Sequence, residues 1–149
     1  MVQKQLGDFA NVRAWHSYGA FDESAAASIS TLQAAGFVDV GVYLFPCPTK
    51  DIGAQVQEMV ANLTAAGVKY GSIWLDIESD PSTGCSWSQD LTKNCQTMAE
   101  LAAAVNSTGI PWGTYTSAYE WGTLMNPGCT VPLAVEHPLW YPHYEKPPK

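Results

Sequence analysis

The sequence predicts an α/β fold in which mostly parallel strands alternate with helices. Two observations carry the prediction. Short runs of β-branched and aromatic residues take turns with longer segments whose apolar residues recur at helical spacing, and Gly or Pro stands at most of the junctions. A strand, a helix and another strand in succession form a unit whose crossover helix leaves its strands parallel. Five strand-like runs occur, too few to close a barrel of eight. The residues alone therefore leave two architectures, an open sheet or part of a barrel.

Asn11-Val12-Arg13-Ala14-Trp15-His16 is the first predicted strand. A helix follows from Glu23 to Ala35, with Ala25, Ile29, Leu32 and Ala35 on one face, Asp22 as its cap and Gly36 as its stop. Asp39 to Phe45 is the second strand, ended by Pro46 and Pro48. Asp51 to Ala66 is the second helix, its stripe formed by Ile52, Val56, Met59, Val60 and Leu63 and its end by Gly67. The third strand lies within Gly71 to Glu78, and turn formers run from Ser79 to Trp87. Ser88 is expected to cap a third helix, with Leu91, Cys95, Met98, Ala102 and Val105 on one face, ending near Gly109. Ile110 to Thr116 is the fourth strand, with Pro111 at its start, where a missing N–H matters least. A short helix is expected from Ala118 to Met125, a loop from Asn126 to Pro138 and a fifth strand from Leu139 to Tyr144. The tail from Glu145 is polar and Pro-rich, and no internal domain boundary is evident, so 1–149 reads as a single domain.

The third strand carries the chemistry. Side chains alternate faces in a strand, so Ile73, Leu75 and Ile77 share one face and Trp74, Asp76 and Glu78 the other. Two carboxylates then point the same way at a strand's carboxyl end, where parallel α/β folds gather functional groups. Like charges that close should hold one proton more tightly than usual, and a retained proton is what a general acid needs. The plainer reading is a strand end running into the acidic turn Asp80-Pro81-Ser82.

Composition bounds the partners. The chain has 149 residues, 46% hydrophobic, enough for one domain with a real core, and a net charge of −7 with only 7 Lys+Arg. That balance argues against nucleic acid and against an anionic membrane surface. No run is long enough for a transmembrane helix, and the first residues lack the apolar core of a signal peptide. Cys47, Cys85, Cys95 and Cys129 are not spaced as zinc knuckles. A disulfide between Cys85 and Cys95 is the expected pairing. Cys47 and Cys129 fall at opposite ends of a parallel sheet, so a bond between them would be strained, and either reads as missing a partner outside the chain. The sequons Asn62-Leu63-Thr64 and Asn106-Ser107-Thr108, with the cysteines, lean towards an oxidising, secretory history. With no signal peptide to match, the expectation is an incomplete copy of a longer secreted protein.

Five pieces of the chain, from Val12 to Tyr144, together resemble the family 25 glycoside hydrolases, most of all the eukaryotic lysozymes. They are Val12-Arg13-Ala14 with Ser17-Tyr18-Gly19; Gly41-Val42-Tyr43-Leu44-Phe45; Trp74-Leu75-Asp76-Ile77-Glu78; Gly113-Thr114-Tyr115-Thr116-Ser117 with Trp121; and Leu139-Trp140-Tyr141 with Tyr144. The resemblance implies an incomplete TIM-like (β/α) barrel, secreted or endolysosomal, that hydrolyses the β-1,4 bond between N-acetylmuramic acid and N-acetylglucosamine in bacterial peptidoglycan. Carried over residue by residue, it makes Glu78 the proton donor and Asp76 the residue that assists the sugar's own N-acetyl group in attacking the anomeric carbon. It makes Tyr115 a substrate or transition-state contact. Tyr43, Trp74 and Trp140 become stacking surfaces for sugar rings, though core packing accounts for each equally well. No cofactor or metal is implied.

The chain departs from the family's pattern at both ends. A first strand with a further aspartate is not matched by Gln3 to Phe9, and the family's closing strands would follow Tyr144, so 1–11 and 145–149 lie outside the match. The chain reads as truncated, with muramidase turnover weak or lost. The rival reading is a non-catalytic peptidoglycan- or chitin-binding remnant. A carbohydrate-unrelated α/β hydrolase has no support, since no Gly-x-Ser-x-Gly elbow occurs. Arg13 is expected to pair with an acidic group inside the mouth, and His16, His137 and His143 read as structural or exposed.

Overall fold

The computed structural model describes residues 9–140. It is an α/β structure around one six-stranded sheet. In chain order the elements are β1 (Phe9–His16), β2 (Ala20–Phe21), α1 (Ala25–Ala34), β3 (Asp39–Leu44), α2 (Ile52–Ala65), β4 (Ile73–Asp76), α3 (Leu91–Asn106), β5 (Trp112–Tyr115), α4 (Ala118–Leu124), α5 (Pro132–Val135) and β6 (Leu139–Trp140). The strand order is β2-β1-β3-β4-β5-β6, and every ladder is parallel except the short hairpin of β2 on β1. Among the described residues the sheet is not closed into a barrel. It is strongly curled all the same, because the rings of Phe9 on β1 and Trp140 on β6 lie 6.4 Å apart.

The convex face of the sheet packs on the helices. Val42, Leu44, Ile73, Leu75 and Ile77 are fully buried there against Ile29, Val56, Met59, Leu63, Met98 and Leu101. Period-2 strands and period-3.6 helices thus present matching apolar faces, and that burial dominates the stabilisation. Asp51 caps α2 by accepting from the Ala54 N–H, and Gly36, Gly67 and Gly109 take positive φ just past α1, α2 and α3.

The structure corrects several details. Ser24, not Asp22, is the residue before α1, and Asp22 is instead bound from both sides by Ser24 and Arg13. Asp90, not Ser88, caps α3; the Ser88 hydroxyl accepts from the Asp90 N–H one turn earlier. The buried face of α3 includes Asn94 and Thr97, with Leu91 at its margin, because Asn94 bridges Ser88 and the Leu124 carbonyl inside the structure. The expected loop from Asn126 contains the short α5. The fifth strand is described at Leu139–Trp140, and its predicted remainder and His143 lie outside the described residues.

The cysteine pairing also differs from expectation. Cys47 bonds Cys85 and Cys95 bonds Cys129, with Cα separations of 4.8 and 5.8 Å. Cys47 follows β3 and Cys85 follows β4, so both loops emerge at the same end of neighbouring parallel strands. Pairing across that rim is geometrically natural. The expected Cys85–Cys95 bond is therefore absent, and neither Cys47 nor Cys129 lacks a partner.

Candidate active site

The concave face is built in registered rows. Arg13, Tyr43, Trp74 and Gly113 form one row across β1, β3, β4 and β5, and Asp76, Tyr115 and Trp140 form the next across β4, β5 and β6. Registered partners in adjacent strands point the same way. Large residues are accommodated by small neighbours. A Cβ on Gly113 would lie 2.6 Å from the Trp74 ring, and one on Gly41 would meet the Asn11 side chain. A bulge between Arg13 and Trp15 matters as much. It leaves Arg13 beside Tyr43 and sends Trp15 to the helix side, where Trp15 is 1% exposed and its indole N–H donates to Gln55 Oε1 at 2.9 Å.

These rows enclose a cavity of about 360 Å³ lined by Asn11, Tyr43, Trp74, Asp76, Glu78, Tyr115 and Trp140. All six residues singled out in the sequence fall together here. Trp140 is the hub of the aromatic wall, edge-on to Trp74 at 5.6 Å and to Tyr115 at 4.9 Å. The sequence reading missed Asn11, which alternation from Arg13 along the first strand would have found. It also missed Glu120, whose spacing from the capping Ser117 is that of a capping box. Glu120 Oε1 accepts from the Ser79 N–H and hydroxyl, pinning the loop just past Glu78, and its charge reaches Asp76.

The backbone at the carboxyl pair is held by three hydrogen bonds. The Ile77 N–H donates to the Tyr115 carbonyl, the Ile77 carbonyl accepts from the Thr116 hydroxyl at 2.7 Å, and the Glu78 carbonyl accepts from the Trp87 indole at 3.0 Å. Asp76 is 7% exposed and hydrogen-bonds the Glu78 side chain. Burial pushes its carboxyl up to about 9, helped by that hydrogen bond and by the charges of Glu78 and Glu120. At neutral pH the pair therefore carries a proton. Asp76 Oδ1 is buried with no partner among the described residues, an acceptor open to a ligand's N–H.

The flanks are occupied as well. The Arg13 Nε donates to Asp22 Oδ2 at 2.9 Å, with the His16 Nε2 3.5 Å from the same oxygen. Burial raises the Asp22 carboxyl, but hydrogen bonds from Ser24 and Arg13 and the nearby His16 outweigh it and hold it below the ordinary range. His137 stacks on Trp112 at 4.1 Å, a packing role remote from the carboxylates. Among the described residues, no group of three or more His, Cys, Asp or Glu is placed to hold a metal ion.

Comparison with known proteins fits this geometry. A family model described as "Lysozyme-like protein 1" matches residues 2–149. The chain belongs to that lysozyme-like family. Among its relatives are two Dictyostelium discoideum proteins, "Probable GH family 25 lysozyme 2" at 38% identity and "Probable GH family 25 lysozyme 4" at 34%, each matched over 93% of this chain. The chain spans 62% of the length of either one. The fold is similar to that of the modular autolysin LytC from Streptococcus pneumoniae, with a TM-score of 0.70 at 18% identity over 90% of this chain and 31% of that one. The resemblance to family 25 glycoside hydrolases thus holds for sequence and fold. The two disulfides of this lysozyme-like chain are consistent with an oxidising compartment.

Proposed function

We propose that this chain carries the catalytic groove of a muramidase, cleaving the β-1,4 bond between N-acetylmuramic acid and N-acetylglucosamine in bacterial peptidoglycan, in a secreted or endolysosomal setting. The observation that carries the reading is the pair of buried Asp76 and half-buried Glu78, holding a proton beside an Asp76 Oδ1 with no partner among the described residues, in an aromatic groove. In this reading Glu78 delivers the proton to the glycosidic oxygen as the bond breaks. Asp76, charged once that proton moves, takes the N–H of the substrate's 2-acetamido group on its free oxygen. The acetamido carbonyl oxygen then attacks the anomeric carbon, and water later opens the resulting ring. Buried and pre-aimed, the Asp76 charge acts where solvent cannot screen it. Tyr43, Trp74, Tyr115 and Trp140 supply faces and edges for sugar rings. The fold's likeness extends to the LytC structure in complex with a synthetic peptidoglycan ligand, which supports this substrate class.

The test is release of new reducing ends from purified peptidoglycan. Glu78→Gln should lower the rate by roughly 10²- to 10⁴-fold, the usual worth of a general acid, while leaving wall binding nearly intact. Unchanged turnover in that variant removes Glu78 from the mechanism. Binding without cleavage in the unaltered protein makes the groove a recognition site instead.

A further inference from the structure

Arg13 is the only arginine of the chain, and it stands in the same inner row as Tyr43 and Trp74. Its side chain is 48% exposed although its Nε is tied to Asp22, which is only 8% exposed. Asp22 is itself fixed, its Oδ1 accepting from the Ser24 N–H at 2.9 Å and the Ser24 hydroxyl at 2.6 Å. A guanidinium has five N–H donors in a rigid fork. One of them is used by Asp22, and no other acceptor among the described residues takes the terminal amino groups. An ion pair that merely braced the turn would be served by lysine. Only arginine can give Nε to a protein carboxylate and keep an outer edge for a second planar anion.

The surroundings are polarised in the same sense. Lys50 lies against Gly19, its Nζ donating to the Tyr18 carbonyl at 3.1 Å, and His16 stacks on Tyr18 at 4.7 Å. Arg13 and Lys50 thus lie on the β1–β2 flank, while Asp76, Glu78 and Glu120 lie on the β4–β5 flank. In a chain of net charge −7 with 7 Lys+Arg, a half-exposed guanidinium in this row is a scarce group for an anion.

We propose that Arg13 is a specificity residue that receives a carboxylate carried on the 3-O-lactyl substituent of muramic acid, its fork held in place by Asp22. That substituent distinguishes muramic acid from N-acetylglucosamine. It presents a carboxylate either as the free lactyl acid or within the stem peptide attached to it. The proposal rests on the muramidase reading and adds what selects peptidoglycan over a neutral N-acetylglucosamine polymer such as chitin.

Calorimetric titration of the protein with three tetrasaccharides tests this: chitotetraose, an alternating N-acetylglucosamine–muramic acid tetramer with free lactyl acids, and the same tetramer bearing stem peptides. The unaltered protein should bind at least one acidic tetramer roughly 10-fold or more tightly than chitotetraose, the scale of a hydrogen bond to a charged group. Whichever acidic tetramer shows the preference identifies the source of the carboxylate. Arg13→Gln should bring the acidic-to-neutral ratio close to one, and Arg13→Lys should restore only part of it. Thermal unfolding of each variant reports its folding separately. Equal binding of all three tetramers by the unaltered protein overturns the proposal and leaves the muramidase reading standing. So does an Arg13→Gln variant that weakens all three alike. Failure to bind any of them removes both.

Discussion

Asp76 is the residue at which stability and function oppose each other. Its carboxyl is raised from 3.8 to about 9, so the folded chain retains a proton that the unfolded chain releases above the lower value. Stability must therefore fall as pH climbs between those values, and Asp76 contributes its full stabilising share only below them. Asparagine keeps the shape and the donor to Glu78 but cannot ionise. Asp76→Asn should add roughly 1–2 kcal/mol at neutral pH, flatten the slope from about pH 5 to 8, and remove most of the hydrolytic activity. Urea unfolding at three pH values checks this, and a wild-type stability that stays level across that range contradicts it. The pair itself was legible in sequence because strand alternation alone puts Asp76 and Glu78 on one face. Asn11 is legible by the same alternation from Arg13, and Glu120 by its spacing from Ser117, but what each faces is set only when the fold places Asn11 in the groove and Glu120 against Ser79.

At the scale of elements, the helices and strands were readable where one periodicity ruled. Of the expected stripe of α2, Ile52, Val56, Met59 and Leu63 are buried and Val60 is partly so, while the polar Gln55 joins the buried face because it binds Trp15 and Cys47. Where a polar residue is buried for a tertiary reason, as Asn94 is, periodicity misplaces the face. The disulfides were misread because local spacing favoured Cys85–Cys95, whereas the rim brings together loops from successive β–α units. That rim has a consequence. The loop from Ser79 to Trp87 is tied to the β3–α2 loop by Cys47–Cys85 and by the Thr49 hydroxyl donating to the Gly84 carbonyl, and to β1's end by Ser17 and Ser82 at 2.7 Å. Its Trp87 in turn holds the Glu78 carbonyl. The other bond, Cys95–Cys129, fastens α3 to the segment before α5, away from the carboxylates. The two loops span 38 and 34 residues, so loop-closure entropy assigns each bond a similar stabilisation, about 4 kcal/mol as an upper figure. Activity should separate them. Cys47→Ala with Cys85→Ala should depress kcat well beyond Cys95→Ala with Cys129→Ala at matched loss of stability. Equal kcat in the two double variants would mean the rim staple does not position Glu78.

The whole molecule presents 14 acidic against 7 basic side chains. An anionic bacterial wall should therefore repel it at neutral pH, over a range set by the Debye length, about 8 Å at physiological salt and roughly 30 Å at 0.01 M. Protonating exposed carboxylates relieves that repulsion, and so does salt. The site imposes a different dependence, because the Asp76–Glu78 pair keeps its proton well above neutrality. The two effects separate by substrate. On intact bacteria at low salt, turnover should peak in mildly acidic conditions and shift towards neutrality as salt is added. On a small soluble muropeptide, which presents few charges and no extended surface, the profile should reach further into the alkaline range and respond little to salt. Measuring both profiles at two ionic strengths decides the matter. An acid optimum of the same position on both substrates, insensitive to salt, would contradict both the retained proton of the carboxyl pair and the account from net charge.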